Sequence, residues 1–409
     1  MLNNLKSALQ SKKILMVGTI VLLSLTSGTI AISSNFQTTT SINQNEVKLK
    51  SEKTEISNNN LNSNKPRIQI AILLDSSNSM DGLIEQTRTQ IWSVINAVSK
   101  VTKNGQNPIF EVSLYHYGND TLPSSEGFNR MLNELTTDLD KVSENLFSIQ
   151  TNGGQEYAGW VIDSAMNQLK WSDNTQDFRV IFVAGNEPFD QGTLNWQKAM
   201  ESASKKDVIV NTIYCGDSES SESNLWANAA NVGKGSYFNL NQNEKVVTIP
   251  TPYDAEIAEL NRQLNETYIY YGNEGAISYE RQTQQDSNAF GSSESTGINR
   301  SIAKVTGNYR NSDWDLVDAI KDKVVDLNTL DKSTLPENLR SLSVSEIKQI
   351  VDEMMTKREQ IKAKIAELSQ KRTEYIAKNT PQDESNKTLD SLMISTLYKQ
   401  LEAKGFEVK

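Results

Sequence analysis

The chain has 409 residues, too long for one ordinary domain and long enough for one large core with an appendage. Its 51 acidic and 41 basic side chains leave a net charge of −10, which argues against nucleic acid or an anionic lipid surface as the main partner. A single cysteine, Cys215, excludes internal disulfides and cysteine-paired zinc sites, and a single histidine, His116, excludes histidine-pair metal sites and weighs against most hydrolase chemistries.

Lys6, Lys12 and Lys13 precede an uncharged, largely apolar run over 14–32, long enough to span or nearly span a bilayer. Residues 1–32 therefore read as a signal peptide or an uncleaved N-terminal membrane anchor. This predicts an exported protein of the periplasm, the cell surface or the membrane. The segment 33–66 is rich in Asn, Ser, Thr and Lys with isolated apolar residues, so it cannot bury enough surface to fold and reads as a disordered linker.

From 67 to 250 short apolar runs alternate with amphipathic stretches, the pattern of a doubly wound, mostly parallel α/β sheet. Strands are predicted at 68–74, 109–117, 178–184, 208–214 and 236–239, with an extra edge strand at 129–135. Helices are predicted at about 83–101, 139–147, 158–169, 196–204 and 224–231. Beyond Tyr253 the periodicity turns helical, giving a C-terminal α-helical region over 251–409 with helices at 255–271, 315–330, 343–378 and 389–403. In the third of these, Val344, Ile347, Val351, Met354, Arg358, Ile361, Ile365, Leu368, Arg372 and Tyr375 form a heptad seam interrupted by two arginines. Two partners fit that seam. One is the 315–330 helix in an intramolecular hairpin, the other a second copy of the chain in a coiled coil.

The first predicted strand ends in ILLDSSNSMDGLIE, where an apolar run stops at Asp75 and small oxygen-bearing side chains follow. Ligands of doubly wound sheets bind at the carboxyl ends of the strands. The spacing Asp75, Ser77, Ser79 lets one carboxylate and two hydroxyls turn inward from one loop, as hard donors suited to magnesium. A bland alternative uses the same residues as a turn and as the N-cap of the next helix, with Ser79 or Asp81 capping.

These residues resemble the von Willebrand factor A family, whose metal-ion-dependent adhesion site opens with Asp-x-Ser-x-Ser after the first strand. Gly153-Gly154 before a helix, and a hydrophobic strand followed by AGNEPF at 184–189 and by Gln191-Gly192, extend the resemblance over about 67–250, closest to an exported bacterial branch. The family pattern adds a threonine after the double glycine and an aspartate after the fourth core strand. This chain has Gln155, with Glu156 adjacent, and Asn186, with Glu187 adjacent. The resemblance thus implies a site drawn from Asp75, Ser77, Ser79, Gln155, Glu156, Asn186 and Glu187. It would hold Mg2+ or another divalent cation such as Mn2+ or Ca2+, through which a protein partner could be bound by a carboxylate.

His116 on its predicted strand reads as a satisfied, partly buried side chain, and Cys215 as a small buried hydrophobe. The leading function is a non-enzymatic, exported binding module. Its competitors are a structural scaffold with a metal-free turn and helical oligomerisation, and a metal-assisted hydrolase using Asp75 with Glu156 or Glu187 as base.

Overall fold

In the computed structural model, residues 65–243, 248–380 and 388–408 are described. The expectations for the N-terminal signal or anchor and for nearly all of the linker fall outside these residues. Among the described residues no helix is long and apolar enough to cross a membrane.

The β-branched and aromatic runs form the strands expected of them. The main strands are β1 (Arg67–Asp75), β3 (Ile109–Tyr117), β4 (Asn129–Thr136), β5 (Phe178–Gly185), β6 (Ile209–Tyr214) and β7 (Lys234–Asn239). They make one sheet in the order β4-β3-β1-β5-β6-β7, all parallel except β4, which pairs antiparallel at the edge. Two residues each of β2 (Val101–Thr102) and β8 (Glu407–Val408), not foreseen in the sequence, tie the C-terminus back antiparallel. The winding reverses at β1, which lies between β3 and β5, so the crevice at its carboxyl end is the natural ligand position.

Because side chains alternate along a strand, β1 feeds two cores. Ile68, Ile70, Ile72 and Leu74 face one of them, Ala71 and Leu73 the other. On the second face lie α3 (Ala158–Gln168), α4 (Trp196–Lys205) and α5 (Ser221–Val232). On the first lie α1 (Asp81–Val98) and α2 (Leu139–Ser148), and the C-terminal helices join the same core. The helix α12 (Leu389–Ala403) sets Leu389, Met393, Leu397 and Leu401 into it, and Phe406 meets Phe178 edge to face with centroids 6.5 Å apart.

Two helices of ten or more residues were not foreseen, α7 (Gly275–Ser292) and α8 (Glu294–Ala303). Their buried positions are largely polar, among them Gln282, Gln285, Asp286 and Arg300, so no apolar period marks them. Arg300 pairs with Asp140 of α2 and Asp286 of α7, each at 2.7 Å, and lies 4.7 Å from the Trp92 ring of α1. Lys304 adds a second buried contact to Asp286 at 2.8 Å.

The predicted 315–330 helix is corrected to a short α9 (Leu316–Lys321), because Lys323 takes a left-handed φ of 58° and ends it. After a short α10 (Glu337–Arg340) comes α11 (Val344–Asn379), opened by a capping box between Ser343 and Glu346. The seam is buried at Ile347, Val351, Arg358, Ile361, Ile365, Leu368 and Arg372. Its partner is neither a single hairpin helix nor a second copy. Ile347 and Val351 share a core with Leu316 and Val317, whereas Ile361, Ile365 and Leu368 share the sheet-side core with Ile257 and Leu264 of α6 (Asp254–Asn265).

Both seam arginines are anchors. Arg358 reaches Asp315 at 2.5 Å and Asp318 at 2.7 Å and donates to the Thr267 carbonyl at 2.7 Å. Arg372 holds Asp254 at 2.9 Å.

Candidate metal centre

Strand β1 delivers Asp75 to the crevice in register with Tyr117 of β3, one residue beyond the pairing of Leu74 with Ala184 of β5. The next residue turns away. Ser76 donates its N–H to the Tyr117 carbonyl at 2.8 Å, its hydroxyl donates to the same carbonyl at 3.0 Å, and that hydroxyl lies 3.0 Å from His116 Nδ1. Ser76 therefore ties the loop to β3 and leaves Asp75, Ser77 and Ser79 for the crevice.

Asp75 is fully buried. Its Oδ1 accepts the Ser77 N–H at 2.8 Å, whereas its Oδ2 receives no donor. The Ser77 and Ser79 hydroxyls are 3.1 Å apart, and the Asn186 side-chain N–H donates to Ser79 Oγ at 3.1 Å, leaving Asn186 Oδ1 without a donor. The capping alternative is not realised. Helix α1 begins at Asp81 with Met80 at its N-cap and no side-chain cap, and the Leu83 N–H is taken by Gln242 Oε1 at 3.2 Å.

The loop 149–157 supplies the second carboxylate. Gly154 passes so close to the Gly118 carbonyl that a Cβ there would collide with it. Past this turn the Glu156 N–H is fixed by Gln191 Oε1 at 2.7 Å, and the side chain folds inward, 7% exposed. Its carboxyl group comes within hydrogen-bond reach of Asp75 and of the Ser77 hydroxyl, and its Oε2 has no donor. Burial raises the proton affinity of both carboxyl groups, and for Glu156 the neighbouring Asp75 charge raises it further. Without a cation the pair is thus biased towards sharing a proton.

Of the paired sequence alternatives, the structure brings Glu156 to Asp75 and Asn186 to Ser79. Gln155 is exposed, its Oε1 3.5 Å from the Tyr157 hydroxyl. Glu187 is half-buried beside the site, where its charge bears on both carboxyl groups, and its backbone carbonyl accepts the Trp226 indole N–H at 2.8 Å.

Several supports escaped the sequence reading. A Cβ on Gly118, which has a φ of 73°, would stand 2.6 Å from Asp75 Oδ1 and 2.8 Å from Glu156 Cγ, so this glycine shapes the cradle. Its signal was a glycine directly after a strand, in YHYGND. Asn119, buried behind the loop, donates to the Ser76 and Gln150 carbonyls at 3.2 and 2.9 Å, and Gln242 donates to the Ser79 carbonyl at 2.9 Å. Neither carried a recognisable local pattern.

Among the described residues no group of three or more His, Cys, Asp and Glu side chains is placed to hold a metal. An ion here would rest instead on two carboxylates, two hydroxyls and one amide oxygen. That set is all oxygen, suited to Mg2+, Mn2+ or Ca2+. Three of its atoms, Asp75 Oδ2, Glu156 Oε2 and Asn186 Oδ1, are buried without a donor. A buried acceptor left unpaired costs about 1–3 kcal/mol, so three in one crevice fit a cation that would satisfy them.

Comparison with known proteins agrees with the fold. The family model of the von Willebrand factor type A domain matches residues 69–251. No curated protein matches the chain. Among solved structures, the SpRpn10 VWA domain is 18% identical at a TM-score of 0.33, with 44% of this chain and all of that chain covered. Proximal thread matrix protein 1 from the mussel byssus, with a zinc occupied MIDAS motif, is 12% identical at 0.33, covering 43% and 42%. The pilus adhesin SpaC from Lactobacillus rhamnosus GG is 11% identical at 0.32, covering 44% and 28%. The chain thus spans less than half of the latter two proteins. At these identities and scores the likenesses assign no function. The family match covers the strands β1 and β3 to β7 and the loops around Asp75, and residues 69–251 of this chain are a von Willebrand factor type A domain.

Proposed function

We propose that this chain is an exported, non-enzymatic protein-binding module of a bacterial branch of the family, which engages its partner at a divalent cation held by Asp75, Ser77, Ser79, Glu156 and Asn186. In this reading residues 1–32 direct export or anchor the chain, 33–66 act as a tether, 67–250 carry the site, and 251–409 form the helical region packed against it. VWA domains commonly mediate protein–protein interaction, which supports the binding class. The observation that carries the metal is the convergence of three donorless buried oxygens with two serine hydroxyls.

The test is thermal unfolding with Mg2+ or Mn2+ and with a chelator. A cation at about 100 times its Kd stabilises by about 2.7 kcal/mol, which for a chain of this size raises Tm by roughly 3–6 °C. The expected result is that rise in the wild type and its absence in Asp75→Ala and in the milder Asp75→Asn. An unchanged wild-type Tm at saturating Mg2+ and Mn2+ sinks the metal reading.

A further inference from the structure

Lys304, at the end of α8, is fully buried, and the groups around its ammonium are more than those of a simple ion pair. Its Nζ donates to Asn265 Oδ1 at 2.5 Å and to Asp286 Oδ2 at 2.8 Å. That same carboxylate oxygen accepts the Asn265 side-chain N–H at 2.7 Å, so it touches both the amine and the amide nitrogen. Gln282, also fully buried, donates its side-chain N–H to Asn265 Oδ1 at 3.2 Å. Because a C=O bond is about 1.2 Å long, Lys304 Nζ stands no more than about 3.7 Å from Asn265 Cγ, close to the roughly 3–3.5 Å of reacting atoms held ready for attack.

These four side chains are the parts of an amide exchange. Burial drives the Lys304 pKa down from 10.5 to about 8, with Asp286 and Asp140 opposing and Arg300 assisting, so neutral amine is present at mildly alkaline pH. Burial raises the proton affinity of Asp286, but Lys304 and Arg300 outweigh it and hold that carboxyl well below its usual range, ionised and able to take a proton. Arg300 fixes the other oxygen of Asp286 at 2.7 Å and leaves Oδ2 to the amine, to Asn265 and to the Asn261 amide N–H at 2.9 Å. The remaining titratable neighbours are settled. Burial keeps the Tyr268 and Tyr309 phenols protonated, and Asp140 is paired with Arg300.

We propose that Lys304 and Asn265 join in an intramolecular side-chain amide, formed by the chain itself with Asp286 moving the proton and Gln282 holding the oxyanion. The lone pair of neutral Nζ forms the bond to Asn265 Cγ while the carbonyl pair moves to Oδ1, where the Gln282 N–H meets the developing charge. Asp286 Oδ2 takes one proton from Nζ and delivers it to Asn265 Nδ2. The Oδ1 pair then restores the carbonyl, the Cγ–Nδ2 bond breaks and ammonia leaves. One amide replaces another with no change of oxidation state, and half-buried Asn265 gives the ammonia a short way out. The product covalently ties the end of α6 to the end of α8 in a chain whose single cysteine offers no internal disulfide. It does not rest on the metal reading.

The test is mass spectrometry of the full chain, made by cell-free synthesis and sampled over time near pH 8. The wild type is expected to fall about 17 Da below the mass of its sequence as ammonia is lost. Trypsin is then expected to spare the bond after Lys304 and to release residues 263–281 joined to residues 301–310. Asp286→Asn, which keeps the size and cannot take the proton, is expected to stay at full mass. Gln282→Leu is expected to form the bond at least about tenfold more slowly. Urea unfolding establishes that each variant is folded, and the wild-type mass reads the inference even where one is not. A wild type that keeps its full mass after prolonged incubation overturns the inference. So does a loss of ammonia without the joined peptides, or joining at the wild-type rate in Asp286→Asn.

Discussion

Glu156 and Asp75 show how one residue's register in a loop decides a site. Gln155 and Glu156 were equal candidates after Gly153-Gly154, and the long-range bond from Gln191 Oε1 to the Glu156 N–H accompanies the turn that points Glu156 inward and leaves Gln155 in solvent. No local pattern carries that bond. Two carboxyl groups buried without a cation cost stability, so Glu156→Gln should stabilise the chain in chelator by about 1–2 kcal/mol while removing its response to Mg2+. A urea midpoint in chelator measures this, and a lower midpoint would make Glu156 a purely structural residue. His116, by contrast, behaves as a satisfied core histidine. Burial, with a smaller effect from Arg130, depresses its pKa from 6.5 to about 4. A base with a depressed folded pKa contributes stability fully above pH 6.5 and loses it as pH falls through about 4, about 3 kcal/mol in all at ~1.4 kcal/mol per unit. As the chain's single histidine, its isotope-labelled ring should titrate near 4 by NMR. A midpoint near 6.5 would contradict its burial.

At the scale of elements, the arginines of α11 replace coiled-coil logic with internal anchoring. A seam broken by charge reads as a weak dimer interface, yet Arg358 and Arg372 each meet carboxylates of other segments of the same chain. Removing one partner of such a buried pair strands the other, at about 3–5 kcal/mol. Arg358→Met is therefore expected to cost that much in denaturant unfolding, because Asp315 is fully buried. A loss below about 1 kcal/mol would show that Asp315 is satisfied without it. The helices α7 and α8 are the complementary lesson. Their buried glutamines, Asp286 and Arg300 form a polar contact layer on α1 and α2, and hydrophobic periodicity is blind to such a layer.

At the scale of the molecule, the sheet was legible because its strands are near-continuous apolar runs buried on both faces, and the position of the site followed from the winding reversal at β1. Asp75, Ser77 and Ser79 were legible because they sit in one short loop. Their companions come from the loops before α3 and after β5, and only packing shows which side chains converge. The way the C-terminal helices complete the core on the α1 face was likewise hidden, since Leu389, Met393 and Phe406 find their sheet contacts across the whole length of the chain. The central claim is that five oxygen-bearing side chains from three loops form one cation site. The most direct measurement is a crystal structure grown with Mn2+, with the ion located by its anomalous scattering. The account predicts one ion about 2.0–2.3 Å from oxygens of Asp75, Ser77, Ser79 and Glu156, with Asn186 completing or bordering its shell. A crevice without anomalous density at saturating Mn2+, or an ion held away from Asp75, would contradict it.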